Sequence, residues 1–385
     1  MKNGYRVMDS DLHVMETGDL YERYLDERYR DRMPQYLGYG KADVLGWQVG
    51  NQMVPPWINS DAVVGPQKFL HSRSTDIYAE AREKGYPPET HLAAMDVEGV
   101  DVAVLYRTLA HTVAYLETNE PDYAMALCRA FNDWLADYAK AAPDRLKGAA
   151  ILTIHDPELA AEEARRAVRD LGFVAAVLMP MPINGRNLNA PECDALWAEL
   201  ERLNVPVGFH PTSTGTSREY VSNRFAGHPN FRTLNHAASF PLELMMAMGT
   251  MIVGGVCHKF PGLRIGFLEG TCGWLPWWLH RLDDQWQKYG GGEAIKLDAL
   301  PSEYFRRQCY VSTDVDEELL RVVVDEVGDD NIVVSTDYPH EDGAYPHAIE
   351  EFLALPGVST ESKRKILWDN CARLYGLDVP ARVRS

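Results

Sequence analysis

Val7-Met8-Asp9-Ser10-Asp11-Leu12-His13, with Glu16 three residues further on, opens the chain as a strand that carries chemistry. Alternate side chains of a strand share a face, so Asp11 and His13 point the same way, into whatever the strand lines. Two metal-ligand types thus stand together at the start of the chain, and a ligand set begun there must be completed by later strands.

Those later strands are legible as short apolar runs at Asp101–Tyr106, Gly148–Ile154, Val174–Met179, Val205–Phe209, Leu263–Leu268, Gln308–Thr313 and Asn331–Thr336. Helical patterns lie between them: Tyr123–Lys140, Pro157–Leu171 with Asp156-Pro157 as cap and first turn, Cys193–Leu203, Leu242–Phe260 and Glu317–Val327. With the first strand the count is eight. Runs that are nearly all apolar are buried on both faces, which points to a parallel sheet, and eight such units point to a closed (β/α)8 TIM barrel. An open doubly wound sheet is the alternative, weakened by the lack of a GxGxxG after the first strand. A single domain over residues 1–385 is expected, with an insertion at about 17–88 that holds Trp47, Trp57 and Pro55-Pro56. So long a stretch suits a lid over a pocket or a peripheral packing element.

Composition narrows the function classes. The 46% hydrophobic and 24% charged content are those of an ordinary globular protein, and a net charge of −18 without a basic stripe speaks against nucleic acid or an anionic membrane as partner. No apolar run reaches the roughly 18 residues of a membrane span, and the N-terminus leads straight into a strand, so a cytoplasmic location is expected. Cys128, Cys193, Cys257, Cys272, Cys309 and Cys371 form no CxxC pair and read as reduced, buried thiols.

Barrel enzymes carry their chemistry at the C-terminal ends of the strands. There the sequence places Asp11, His13 and Glu16 after strand one, Arg107 and His111 after strand two, Arg186 after strand four, His210 after strand five, Glu269 after strand six, and Asp337 with His340 after strand eight. A lone His or carboxylate at a strand end is usually a packing or capping group. Coincidence at one end of several strands favours ligands instead, and the metal set is therefore Asp11, His13, Glu16, His210, Glu269 and Asp337, enough for one or two ions. Nitrogen and oxygen donors without thiolate suit Zn²⁺, Mn²⁺ or Fe²⁺. Asp337, His236 and His340 are the candidates for proton transfer, while Arg107, Arg186, His111 and also Arg73 are candidates for holding substrate.

These motifs resemble the amidohydrolase-related branch of the amidohydrolase superfamily, the group containing aminocarboxymuconate-semialdehyde and resorcylate-type decarboxylases. The matching pieces are Met8–His13 with Glu16, Gly208–Pro211, Phe260–Arg264, Phe267–Gly270, Gly273–Pro276, Ser335–His340 and Asn370–Gly376. The resemblance implies a divalent metal held by Asp11, His13, His210 and Asp337, with Asp337 also handling a proton. Two positions depart from the usual pattern, Asp11 in place of the first His of an HxH pair and Glu269 where the decarboxylases often have His. The expected activity is hydrolysis or non-oxidative decarboxylation of a small carboxylated molecule. Four carboxylates with two imidazoles also raise a dinuclear Fe or Mn oxygenase acting on a small acid. A third alternative is a catalytically silent partner subunit with Gly273–His280 as its assembly surface; in any of these readings a homo-oligomer, or a hetero-oligomer with a related chain, is expected.

Overall fold

The computed structural model describes residues 1–36, 47–49, 52–54, 77–110, 114–116, 118–212, 219–225, 227–340 and 343–377. Its strands in chain order are β1 (Met8–Val14), β2 (Gln35–Tyr36), β3 (Trp47–Val49), β4 (Gln52–Val54), β5 (Val102–Arg107), β6 (Leu146–Ile151), β7 (Ala175–Leu178), β8 (Val207–Phe209), β9 (Ile265–Phe267), β10 (Cys309–Thr313) and β11 (Ile332–Val334). Eight of them pair in parallel in the order β1-β5-β6-β7-β8-β9-β10-β11, with helices between, as a nearly closed (β/α)8 barrel. Each of the eight expected strands is present. Burial on both faces explains why they read as continuous apolar runs: every residue of β1, β5 and β10 is buried.

The helices follow local signals where those are strong. Asp156 caps Pro157–Arg169 by accepting the N–H groups of Glu158 and Leu159. The helix expected over Leu242–Phe260 instead runs Phe231–Val253, and a separate turn of helix, Val256–Lys259, follows Gly255 at φ +84°. Pro241 lies inside the longer helix, where proline costs about 3 kcal/mol. A buried face continuing from Asn235, Ser239 and Phe240 to Leu244, Met248 and Met251 carries the helix through it. This is also the one helix among the described residues long and apolar enough to cross a membrane; half of that stretch is buried in the fold.

Of the insertion, the described parts include the helices Leu20–Tyr24 and Ala79–Glu83 and the small antiparallel sheet β2-β3-β4. Trp57 and Arg73 lie outside the described residues. All six cysteines are free and buried.

Candidate metal centre

The ends of β1, β8, β9 and β11 bring Asp11, His13, His210, Glu269 and Asp337 together. His13 Nε2 stands 3.1 Å from His210 Nε2 and 3.1 Å from Glu269 Oε2. It is 3.6 Å from Asp11 Oδ1 and 3.4 Å from Asp337 Oδ1. His210 Nε2 is 3.1 Å from Asp11 Oδ2 and 2.6 Å from Glu269 Oε2. Asp11, His13, His210 and Glu269 thus form a quartet with one donor atom each inside 4.8 Å of the others, and His13, Glu269, Asp337 and His340 form a second quartet that shares two members with the first.

The donor set fits a divalent cation. His13 Nδ1 lies 2.8 Å from the Arg107 carbonyl, which can only accept, so Nδ1 carries the proton and the Nε2 lone pair faces the cluster. Both Asp11 oxygens are buried, with, among the described residues, only the Nε2 atoms of His13 and His210 beside them at 3.6 and 3.1 Å. An ionised carboxylate in that state is costly unless a positive charge joins it. Backbone geometry also aims the carboxylates: Glu269 and Asp337, each just beyond a strand end, both have φ +55°. That left-handed conformation costs a non-glycine residue about 1–2 kcal/mol and is retained where surrounding structure enforces it.

Electrostatics divides the two imidazoles. Burial, helped by the nearby His340, lowers His13 to about 4. Burial and the Arg107 charge also oppose protonation of His210, but Asp11 and Glu269 outweigh them and lift it to about 9. Burial likewise opposes ionisation of Glu269, yet His210 and His13 hold it well below the usual carboxylate range. At neutral pH a His210 proton thus occupies the place that a metal cation would take.

The remaining expected site residues separate into different roles. Glu16 does not join the cluster: its carboxylate accepts the N–H groups of Thr108, Leu109 and Ala110 at 2.9 to 3.1 Å, so it caps the loop after β5. Arg107 is buried behind His210 rather than facing a cavity, with Nη2 donating to the His210 carbonyl at 2.6 Å and Nη1 2.7 Å from Nδ1. Arg186 donates to the Ile154 and His155 carbonyls. His111 lies outside the described residues. His236 stacks on Phe240, ring centroids 4.9 Å apart, and both line a cavity of about 350 Å³ with Glu269, Asp314, Asp337 and Ala344.

His340 stands on the ring of His13, centroids 4.0 Å apart. The Thr108 hydroxyl donates to Val14 O at 2.8 Å and so accepts from His340 Nε2, 3.2 Å away. His340 Nδ1 is then left 2.7 Å from Asp337 Oδ1, a distance two lone pairs do not tolerate, so the pair holds a proton. The sequence reading gives no role to Thr108 or to Asp9. Asp9 is wholly buried, bonded to Thr336, and burial pushes its carboxyl up to about 7. Only its place two residues before Asp11 hints at this.

The protein-family model described as amidohydrolase matches residues 9–377. The chain is 29% identical to a gamma-resorcylate decarboxylase of Rhodococcus jostii, over 84% of this chain and 96% of that one. It is 26% identical to a 2-amino-3-carboxymuconate-6-semialdehyde decarboxylase of Dictyostelium discoideum, over 78% and 80%. Its fold matches a 5-carboxyvanillate decarboxylase of Novosphingobium aromaticivorans solved with bound manganese, at a TM-score of 0.69, 21% identity and 98% coverage of each chain.

Proposed function

The chain belongs to the amidohydrolase family, and on that footing we propose that it is a metal-dependent enzyme catalysing non-oxidative decarboxylation of a small acid whose carboxylate sits on an electron-rich unsaturated carbon. The Asp337–His340 pair carries this reading, because Asp337 lines the cavity beside the ion-holding quartet and has His340 Nδ1 2.7 Å from its Oδ1. Asp11, His13, His210 and Glu269 would hold one divalent ion, Mn²⁺, Zn²⁺ or Fe²⁺. When bound, that ion supplies a positive anchor for the substrate carboxylate and an adjacent oxygen.

The chain's own groups do the rest. His236 and Phe240 form a flat wall against which an unsaturated acid stacks. The Asp337–His340 pair gives its proton to the carbon that bears the carboxylate, the bond from that carbon to the carboxylate breaks, its electron pair returns to the π-system, and CO₂ leaves. An electron-rich substrate is needed because no organic electron sink takes part. Arg107 acts indirectly, fixing the His210 backbone by donating to its carbonyl. Relatives that are decarboxylases lend no support to the oxygenase or the silent-subunit alternative. Six free, buried thiols suit the reducing cytoplasm.

The test is CO₂ release by Mn²⁺-loaded protein from a panel of mono- and dihydroxybenzoates, with and without O₂. We expect turnover of at least one acid at equal rates in both atmospheres. Cleavage of amides or esters with no CO₂ from any acid would overturn the decarboxylase assignment.

A further inference from the structure

The ladder of the barrel runs from β1 round to β11, and among the described residues these two strands form no ladder with each other. Yet they carry Asp11 and His13 on one side and lead to Asp337 on the other. Side chains and one backbone hydrogen bond stitch this seam. Ser10 Oγ donates to Val334 O at 2.7 Å, Ser335 Oγ donates to Asp11 O at 3.0 Å, and the His13 N–H reaches Tyr338 O at 2.8 Å.

Asp9 takes the largest share. Its Oδ1 accepts the Asp11 N–H at 3.1 Å and the Thr336 N–H at 3.3 Å, and its Oδ2 accepts the Thr336 hydroxyl. One carboxylate therefore grips the backbone of a ligand on the first strand and the residue preceding a ligand on the last. The grip falls at a special place: the register of β1 against β5 slips by one residue between Asp9 and Leu12. Such a bulge releases backbone groups from the ladder, and the Asp11 N–H finds its acceptor in Asp9. At the other end, Thr336 precedes the left-handed backbone of Asp337. A carboxylate at 0% exposure, bonded to two amides and a hydroxyl, is costly to bury and calls for a role that repays it.

We propose that Asp9 is a positioning residue that sets the spacing between Asp11 and His13 on β1 and Asp337 after β11, across a seam that no backbone ladder closes. This rests on the metal-centre reading above. Asp9→Ala leaves the amides of Asp11 and Thr336 without their acceptor and frees the seam to widen. Asp9→Asn keeps Oδ1 for both amides, and the Thr336 hydroxyl can turn to accept from the new amide group.

The experiment is Mn²⁺ affinity by chelator competition on the full chain, with thermal unfolding in parallel, for wild type, Asp9→Ala, Asp9→Asn, Thr336→Val and His210→Ala. Asp9→Ala is expected to weaken Mn²⁺ binding by about 10- to 100-fold, the usual effect of losing a group that orients ligands, while Asp9→Asn recovers most of it. Rescue by Asn separates positioning from a general need for a filled core. Should Asp9→Ala fail to fold, Thr336→Val decides, since it removes one bond and keeps the volume. Wild-type affinity in Asp9→Ala, or in Thr336→Val when Asp9→Ala does not fold, overturns the proposal. If His210→Ala binds Mn²⁺ as tightly as wild type, the metal-centre reading itself is wrong and the role of Asp9 falls with it, an outcome distinguishable from a failure confined to Asp9.

Discussion

The two halves of the site differ in their contact with water. Asp11, His13 and His210 have side chains 0 to 2% exposed, whereas Glu269, Asp337 and His340 are 17%, 20% and 21% exposed. The buried half is held from behind: His13 Nδ1 by the Arg107 carbonyl, His210 Nδ1 by the Pro211 carbonyl, Arg107 itself by the His210 carbonyl. Charges in that dry interior interact several times more strongly than at the surface, which suits a fixed cation. The outer half has to meet substrate and be reprotonated from water, so it sits where both can reach it. Of the four residues proposed to hold the ion, three lie in the dry interior, and Glu269 reaches the cavity beside Asp337.

The sharpest way to break this division is to remove one residue from each half. His210→Ala should cost well over about a hundredfold in Mn²⁺ affinity, since even groups behind the ligands cost up to that much. Asp337→Asn should keep the ion and lower turnover by about 10²- to 10⁴-fold. Metal analysis of the purified variants beside CO₂ release tells the two apart; loss of the ion from Asp337→Asn would merge the halves into one.

A smaller effect concerns protons. His210 in the metal-free protein is raised to about 9, so below that pH an incoming ion must displace its proton. Mn²⁺ affinity should therefore rise by about tenfold per pH unit from 7 towards 9 and level off above. Calorimetric titration in two buffers of different ionisation enthalpy would read about one proton released at pH 7. A flat profile would mean that His210 is not the residue the ion meets.

The smallest effect at the site belongs to Glu16. Glu16→Gln places an amide donor against backbone donors and should lower stability by about 1–3 kcal/mol. Mn²⁺ affinity and turnover should stay as in wild type, measured beside a denaturant melt. A loss of bound metal would return Glu16 to the ligand set that the sequence suggests.

Much of this arrangement was legible in the chain. The eight strands stand out because a parallel barrel buries both faces of each, and the periodicity of such runs survives in the sequence. The cluster was legible for a related reason: a barrel gathers the ends of its strands, so His210, Glu269 and Asp337 could be placed together without knowing any distance. Glu16 shows the limit. Its type and position match a ligand, but its partners are backbone amides 92 to 94 residues away, and backbone amides have no signature in a sequence. Arg107 misled in the same way, being read as facing substrate when it stands behind His210. The helix through Pro241 was missed because packing outweighed a local rule.

By itself, the sequence determined the fold class, the end of the barrel at which the candidate residues gather and the residue types that meet there, because periodicity and strand order are local properties. Only the tertiary structure decided which carboxylates point into the cluster and which are spent on amides. It also decided that His340 Nδ1 stands 2.7 Å from Asp337 Oδ1, and that Asp9 spans the open seam. Those depend on ångström-scale contacts between β1 and β11, more than 300 residues apart in the chain, and on the left-handed turns at Glu269 and Asp337 that only surrounding packing can impose.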